Sequence, residues 1–428
     1  MRTEGEREPD LVVIGAGAAG LMAAGTAAAA GARVMLLEKM PKPGCKLAIT
    51  GKGRCNLTNI EPRGAFESHF GMAGPWLRPA FDAFFSEALM TFIEAEGIAL
   101  ATERGGRVFP AEGRAPDVVK ALANWVRRQG VETVLRCEVR RLLSEHGRIS
   151  GVETAAGRIA CRAVVLATGG ASYPATGSTG DGFRMAAEAG HRIVTPRPAL
   201  VPLETTPAPA RDLDGLGLKN VQVTLLDDDT VADRGFGEMS FTAHGVSGPV
   251  ILTLSGRVVA ALADGRKVRL LVDLKPALGE EKLRARLERD LAARAAEPMR
   301  SLLRGLLPKP LVATCLAETG IRGMLPGGRL PGEQRARLVR WMKGMELQIK
   351  GHRGMAEAIV TAGGVALGEV RPDSMESRLV PGLFMAGEVL DVAADTGGYN
   401  LQAAFSTGVL AGRSAAAFSR CGSDSPRS

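Results

Sequence analysis

Cysteine is scarce in this chain, six in 428 residues, and no two form a C-x-x-C pair. Thiols this sparse exclude a disulfide framework and a dithiol redox motif, and they predict a reduced, cytoplasmic setting. Aromatic residues make up only 4%, with two tyrosines and three tryptophans, which leaves few platforms for stacking nucleic-acid bases. The histidines and cysteines show no ligand spacing, so no metal centre is predicted. The opening MRTEGEREPD mixes acidic residues with arginines and has no apolar core, so a cleaved secretory signal is not expected. Residues 11–32 carry no charge and are long enough to span a bilayer. They are Gly/Ala-rich and bracketed by Asp10 and Arg33; a buried strand, turn and helix explains them better, and no membrane partner is expected.

Glycine is what the chain has in excess, 54 residues against a usual ~7%, a bias toward tight turns and phosphate cradles. With 45% hydrophobic and 23% charged residues the chain is globular, and its length predicts two or three domains of ~150 residues. The net charge is +8, and between Glu280 and Lys350 there are 15 Lys/Arg against 8 Asp/Glu. That basic segment reads as solvated helical faces, as a lure for an anionic substrate or pyridine nucleotide, or as a nucleic-acid surface. Its single aromatic, Trp341, disfavours the last.

Apolar patterning predicts a strand at Leu11–Ile14, a helix at Ala18–Ala30 and a strand at Arg33–Glu38, a βαβ opening. Helices are predicted at Pro79–Glu96 and Asp117–Gln129, then β segments at Val134–Leu143, Ile149–Thr154 and Arg158–Ala160, and an apolar strand at Ala163–Ala167. Prolines between 196 and 209 predict a boundary near 191, and helical text starts at Glu280 with Leu283, Leu287 and Leu291 on one face. After Met355 the Gly-rich strand–turn–helix texture returns. The predicted division is a nucleotide-binding frame of 1–190 plus 356–420, an inserted β-rich substrate domain of 191–279 plus 345–355, a small basic helical domain of 280–344, and a polar tail of 421–428.

Gly15-Ala16-Gly17-Ala18-Ala19-Gly20 follows a strand and opens a helix, the context a dinucleotide fingerprint requires. Gly15 permits the tight turn, Gly17 lets backbone approach a pyrophosphate, and Gly20 lets helix and strand pack closely. Glu38, ending the second strand, is placed to accept ribose hydroxyls. No second fingerprint follows a strand elsewhere, so a separate NAD(P)H domain is not predicted. At the other end, Gly382 to Glu388 reads as a strand running into a Gly-acidic turn, followed by Asp391 and by Thr396-Gly397-Gly398-Tyr399-Asn400 opening an apolar helix. Such text fits FAD enzymes of the glutathione-reductase type, where a helix N-terminus stabilises negative charge on the reduced ring. Between them lie Ala167-Thr168-Gly169-Gly170 and Thr179-Gly180-Asp181-Gly182, a pattern similar to the succinate dehydrogenase and fumarate reductase flavoproteins.

Six longer motifs occur in order: Pro43-Gly44-Cys45-Lys46 with Gly51 to Asn59; Gly106-Arg107-Val108-Phe109-Pro110; Ser172 to Gly182; Phe241 to Pro249; Thr361-Ala362-Gly363-Gly364-Val365; and Gly387 to Gly408. On these the whole chain resembles the BaiN-like and aminoacetone oxidase-like family of bacterial FAD-dependent oxidoreductases. The resemblance implies an α/β fold: a two-part Rossmann-like FAD-binding domain of glutathione-reductase type, holding FAD non-covalently, with an inserted β-rich domain and a small helical domain. In one departure from the family pattern, Ala243 separates Thr242 from His244, which leaves a catalytic histidine there open.

The expected cofactor-binding residues are Gly15, Gly17, Ala18, Ala19, Gly20, Glu38, Lys39, Lys46, Gly53, Arg54, Cys55, Asn56, Thr168, Gly169, Gly170, Gly387, Glu388, Asp391, Gly397, Gly398, Tyr399, Asn400 and Leu401. Arg107, Tyr399 and Asn400 are the catalytic candidates. Arg107 either orients a substrate carbonyl or carboxylate or faces water on a β-turn; Asn400 either meets the flavin or caps its helix. His352 reads as a general base or as an ordinary surface histidine. Cys45 and Cys55 lack the spacing of a flavin–dithiol relay. Three functions stay open at this stage. The first is reduction of an activated C=C bond in a small organic substrate, with NAD(P)H bound transiently; the second is an aminoacetone oxidase-like reaction of small amines with O2; the third is an RNA-binding flavoprotein.

Overall fold

A computed structural model of the chain describes residues 8–209 and 211–421. The chain divides into two compact units, one running to Pro198 and resuming at Ala358, the other Ala199–Glu357. Beyond the backbone of Cys421, the expected polar tail lies outside the described residues.

The first unit is built on a five-stranded parallel sheet in the order Leu383–Met385, Ala163–Leu166, Leu11–Ile14, Val34–Glu38, Glu132–Leu135. Ile14 pairs with Leu166 on one side and Leu37 on the other, and Leu166 with Met385. The C-terminal ends of the central strands are thereby level, so the turns that follow them emerge along one edge. Leu11–Ile14 and Ala163–Leu166 are buried throughout, as uninterrupted apolar runs in a covered parallel sheet must be. The helix Ala18–Ala29 lies in the core against the last helix, Tyr399–Cys421. Most of residues 11–32 are therefore buried in the core, and no helix among the described residues is long and apolar enough to cross a membrane.

Three expectations are corrected in this unit. The segment predicted as one strand from Val134 to Leu143 is two: Glu132–Leu135 joins the parallel sheet beside Val34–Glu38, while Val139–Glu145 opens a separate antiparallel meander with Arg148–Thr154 and Gly157–Ala160. Arg136, at φ +56°, turns the chain between them, and Cys137 N–H closes on the Glu38 carbonyl at 2.9 Å. The helix predicted over Pro79–Glu96 breaks into Arg78–Ala83 and Ser86–Ala95. At the break Phe84 is extended, its carbonyl drawn away to accept Gln402 Nε2 at 3.1 Å and Ser406 Oγ. Pro196 and Pro198 do not break structure but sit in the strand Ile193–Ala199, which pairs only with Val360–Val365. A strand with one partner has free N–H positions that proline can occupy, so the chain leaves this unit at 198 and not near 191.

The second unit closes a six-stranded barrel in the order Leu203–Thr205, Gly245–Ser247, Thr230–Thr242, Gly217–Asp227, Val268–Asp273, Met345–His352. Its alternating strand Val268–Asp273 buries Val268, Leu270 and Val272. The helices between Glu280 and Lys343 belong to the same unit and share its core, with Leu283, Leu287 and Leu291 buried as their spacing requires.

Candidate flavin-binding site

All the sequence-derived cofactor residues lie in the first unit, most on the turns at the C-terminal edge of its sheet. Gly15 holds φ +99°, and a Cβ there would stand 2.6 Å from the Ala167 carbonyl oxygen. A Cβ on Gly20 would fall 1.7 Å from the Gly15 carbonyl oxygen, whereas one on Gly17 meets nothing within 4 Å. The outer two glycines are packing requirements and the middle one faces open space. The first helical hydrogen bond runs from Leu21 N to Gly17 O, so the N–H groups of Ala18, Ala19 and Gly20 stand at the free, positive end of the helix.

Glu38 fixes this turn. Its Oε2 accepts the Ala16 N–H at 2.7 Å and its Oε1 the Met40 N–H at 2.8 Å, with lone pairs left on both oxygens for ribose hydroxyls. Lys39 bonds Thr179 and Asp181, tying the second strand to the T-G-D-G turn.

A second group surrounds Glu388. Oε2 accepts Lys46 Nζ at 2.7 Å, and Oε1 accepts Ser172 Oγ at 3.1 Å and Thr361 N–H at 2.7 Å. Thr361 Oγ1 in turn accepts the N–H groups of Ala171 and Ser172 at 2.9 and 3.0 Å. Gly170 must lack a side chain, since a Cβ would stand 2.4 Å from Thr361 Oγ1. Thr168 and Gly169 lie half-buried on the same turn. Asp391 accepts the Gly363 N–H at 3.0 Å, and burial holds its carboxyl above the ordinary range. The motifs around 46, 170, 361 and 388 are thus one hydrogen-bonded body.

At the head of the last helix, a Cβ on Gly398 would lie 2.9 Å from Asn56 Nδ2. Asn56 Oδ1 is buried without a hydrogen-bond partner among the described residues. Asn400 clamps the preceding loop: its Oδ1 accepts the Ala394 N–H at 2.9 Å, and its Nδ2 donates to the carbonyls of Ala394 and Thr396 at 3.2 and 3.0 Å. Tyr399 is buried and donates its hydroxyl to Glu61 Oε2 at 2.8 Å; burial first, and then Glu61, raises its pKa above the ordinary phenol value. Leu401 packs half-buried against the core.

Arg54 and Arg107 flank one buried ring, Phe109, at 4.3 and 6.0 Å from its centroid. Arg54 is paired to Glu103, while Arg107 is exposed and its Nε donates to the Arg104 carbonyl at 3.2 Å. Gly53 is open to its surroundings. Cys55 is buried with its thiol pushed up to about 12, and burial raises Cys45 as well, so neither supplies a thiolate at neutral pH. In the other unit, His244 is exposed on a turn whose carbonyl accepts Thr205 N–H at 3.1 Å, and His352 Nδ1 accepts Gly354 N–H at 3.1 Å. Among the described residues no group of three His, Cys, Asp or Glu is placed to hold a metal ion.

Sequence reasoning missed Glu61, His69 and Asp395. His69 Nδ1 lies 2.7 Å from Asp395 Oδ1 and its Nε2 3.3 Å from Glu61 Oε2, and its ring lies tilted at 36° against that of Tyr399, centroids 4.0 Å apart. Nothing local marks this histidine; only the pairing of distant segments does.

The open cradle at Gly17, the free helix N-terminus and the unpartnered Asn56 carbonyl beside Gly398 are what an extended, pyrophosphate-bearing cofactor needs, and FAD fits them. The fold is shared with solved oxidoreductases. Quinol fumarate reductase of Escherichia coli superposes with a TM-score of 0.52 over 98% of this chain and 72% of that chain at 19% identity. The 3-ketosteroid delta1-dehydrogenase of Sterolibacterium denitrificans superposes at 0.52 over 96% and 99% at 14% identity.

The chain belongs to the HI0933-like protein Rossmann domain family, whose model matches residues 9–414. The 3-dehydro-bile acid delta(4,6)-reductase of Clostridium scindens is 34% identical over 407 residues, 94% of this chain and 98% of that one. The ribosomal RNA dihydrouridine synthase of E. coli K12 is 31% identical over 414 residues, 93% and 96%. This chain is an FAD-dependent oxidoreductase of the BaiN-like group.

Proposed function

We propose that the enzyme reduces a C=C bond conjugated to a carbonyl in a small organic substrate, with NAD(P)H as the source of electrons. One observation carries this reading: two relatives, 34% and 31% identical over nearly their whole lengths, are named for different substrates, yet both names denote hydrogen added across a ring C=C bond. FAD, when bound, supplies hydride transfer.

The chain's own residues supply position and charge. The Gly15–Gly20 turn and the free N–H groups of Ala18 and Ala19 hold a pyrophosphate, and Glu38 holds the ribose. Asn56 and the Gly397–Gly398 backbone, adjacent at the positive end of the last helix, would hold the flavin and stabilise negative charge on it. The exposed Arg107 guanidinium orients the substrate carbonyl and takes up the charge that builds on its oxygen. Tyr399 and Asn400 act through the loop they hold.

An RNA substrate is disfavoured. The one aromatic of the basic helices, Trp341, spends its N–H on Glu318 at 2.7 Å, and several of their arginines are paired within the module, among them Arg284, Arg294 and Arg337.

The test is an anaerobic titration of the flavin absorption band with NADH and NADPH, followed by addition of a cyclic enone and, separately, of unmodified ribosomal RNA. Bleaching by a nicotinamide, reversed by the enone with gain of two hydrogens, is expected. In Arg107→Ala the expected change is a kcat/KM lowered about ten-fold, the cost of one charged hydrogen bond, with kcat lowered as well and an unchanged melting temperature. Bleaching by small amines alone would replace this reading with an oxidase, and reoxidation by RNA alone would replace the substrate class.

A further inference from the structure

The segment Asp395–Tyr399 leads the chain into its last helix, and its middle, Thr396-Gly397-Gly398, has little side chain with which to anchor itself. Both of its ends are held by His69. At one end Asp395 receives two contacts: its Oδ1 faces His69 Nδ1 at 2.7 Å, and its N–H donates to the His69 carbonyl at 3.1 Å. At the other end the Tyr399 ring lies against the imidazole, centroids 4.0 Å apart, and the Tyr399 hydroxyl shares Glu61 Oε2 with His69 Nε2. Both ring nitrogens therefore face carboxylate oxygens.

A neutral imidazole has one N–H, and only the imidazolium donates at both nitrogens. Deprotonation leaves one carboxylate facing a lone pair. Asp395 and Glu61 are the charged groups facing the ring, and Tyr399 is a neutral phenol lying tilted against it. On the helix preceding His69, Arg63 is turned to Asp82 and Glu67 to Arg78, so neither offsets the pair.

We propose that His69 is a positioning residue for the flavin: bridging Asp395 and Glu61 in its protonated form, it clamps the segment Asp395–Tyr399, and loss of that proton loosens the clamp and weakens FAD binding. The inference rests on the reading that Gly397 and Gly398 face the flavin. The hydrogen bond to Asp395, ahead of the smaller contribution of Glu61 and against burial, raises the histidine pKa above its ordinary value. The clamp is then complete below about pH 6.5 and is lost as pH rises through the raised value.

Two measurements on the full-length protein test this. The first is NMR titration of 13C-labelled histidines in protein stripped of FAD, where five histidines make assignment by His69→Gln tractable. The His69 midpoint is expected above its ordinary value and about one pH unit lower in Asp395→Asn, the shift from one lost charged partner. The second is FAD affinity, read by flavin fluorescence between pH 6 and 9. It is expected to fall about ten-fold in the wild type, the cost of one charge-assisted hydrogen bond, and to be weak and flat in His69→Gln. Should His69→Gln fail to fold, Asp395→Asn carries the same affinity test, its loss of affinity shifted to lower pH. A midpoint unmoved by Asp395→Asn would overturn the clamp. Equal pH profiles in wild type and variant, or a wild-type affinity that stays flat while the histidine titrates, would overturn its link to the flavin. Wild-type protein that binds no FAD would sink the cofactor reading instead, and the NMR arm would still report on the clamp.

Discussion

A Cβ on Gly412 would stand 2.4 Å from the carbonyl oxygen of Ala23, and one on Gly408 would stand equally close to that of Ala19. The last helix is therefore pressed backbone to backbone on the helix that carries the dinucleotide turn, along a seam of small residues. Gly412→Val should cost about 1–3 kcal/mol by overpacking, read as a lower melting temperature. An unchanged melt would mean that the seam opens freely.

The glycines of the cradle should separate by phenotype. Gly17→Ala places its methyl in open space, so the protein should melt as the wild type does while its FAD affinity falls by an order of magnitude or more, because backbone must approach the pyrophosphate there. Gly20→Val collides with the Gly15 carbonyl and should lose stability and flavin together. Isothermal titration with FAD beside a thermal melt distinguishes the two; a Gly17→Ala protein with full affinity would place the pyrophosphate elsewhere.

The Lys46–Glu388 pair is mostly buried, with side-chain exposures of 22% and 19%. Lys46→Met strips one of three donors from a carboxylate that also serves Ser172 and Thr361, and should cost about 2 kcal/mol, below the full cost of orphaning a wholly buried charge. Adding Glu388→Gln should then cost less than it does alone, with a coupling of about 1 kcal/mol in denaturant melts. Strict additivity would mean that the two act separately.

Asp10 precedes the first strand and Arg33 the second, and they meet through N–H contacts of 2.7 to 3.1 Å. The Arg33 side chain, chiefly, holds the Asp10 carboxyl below its ordinary range. Because the folded value is the lower one, the stabilisation is full above the unfolded pKa of about 3.9 and disappears as pH falls through the folded value. Arg33 is half exposed, so Asp10→Asn should cost only about 0.5–1 kcal/mol at neutral pH. Urea melts of the two proteins should converge in acid; a gap that persists there would assign the effect to packing.

The opening strand, helix and strand were legible because their signals are local: an apolar run, a G-x-G-x-x-G turn, an acidic residue at the strand end. For Glu38 the sequence pointed only at a ribose, and the Ala16 N–H that it accepts is visible only in the fold. Where a residue answers to a distant partner, the reading failed. Phe84 breaks a strongly periodic helix because Gln402 and Ser406 capture its carbonyl, and Pro196 and Pro198 are tolerated because their strand has one neighbour. His69 carries no local mark, since its partners Asp395 and Tyr399 lie at the far end of the chain.

That the outer strand Leu383–Met385 and the helix from Tyr399 complete the nucleotide frame sets an order of events during synthesis. The fingerprint turn leaves the ribosome before the barrel unit, yet the strand and helix that complete its frame leave only after the entire barrel unit. Until then the Ala/Gly face of the first helix has no cover, a long-range contact that must wait for its partner. A chain cut short before Tyr399 would keep every residue of the dinucleotide fingerprint and still lack the helix on which Ala18–Ala29 packs backbone to backbone.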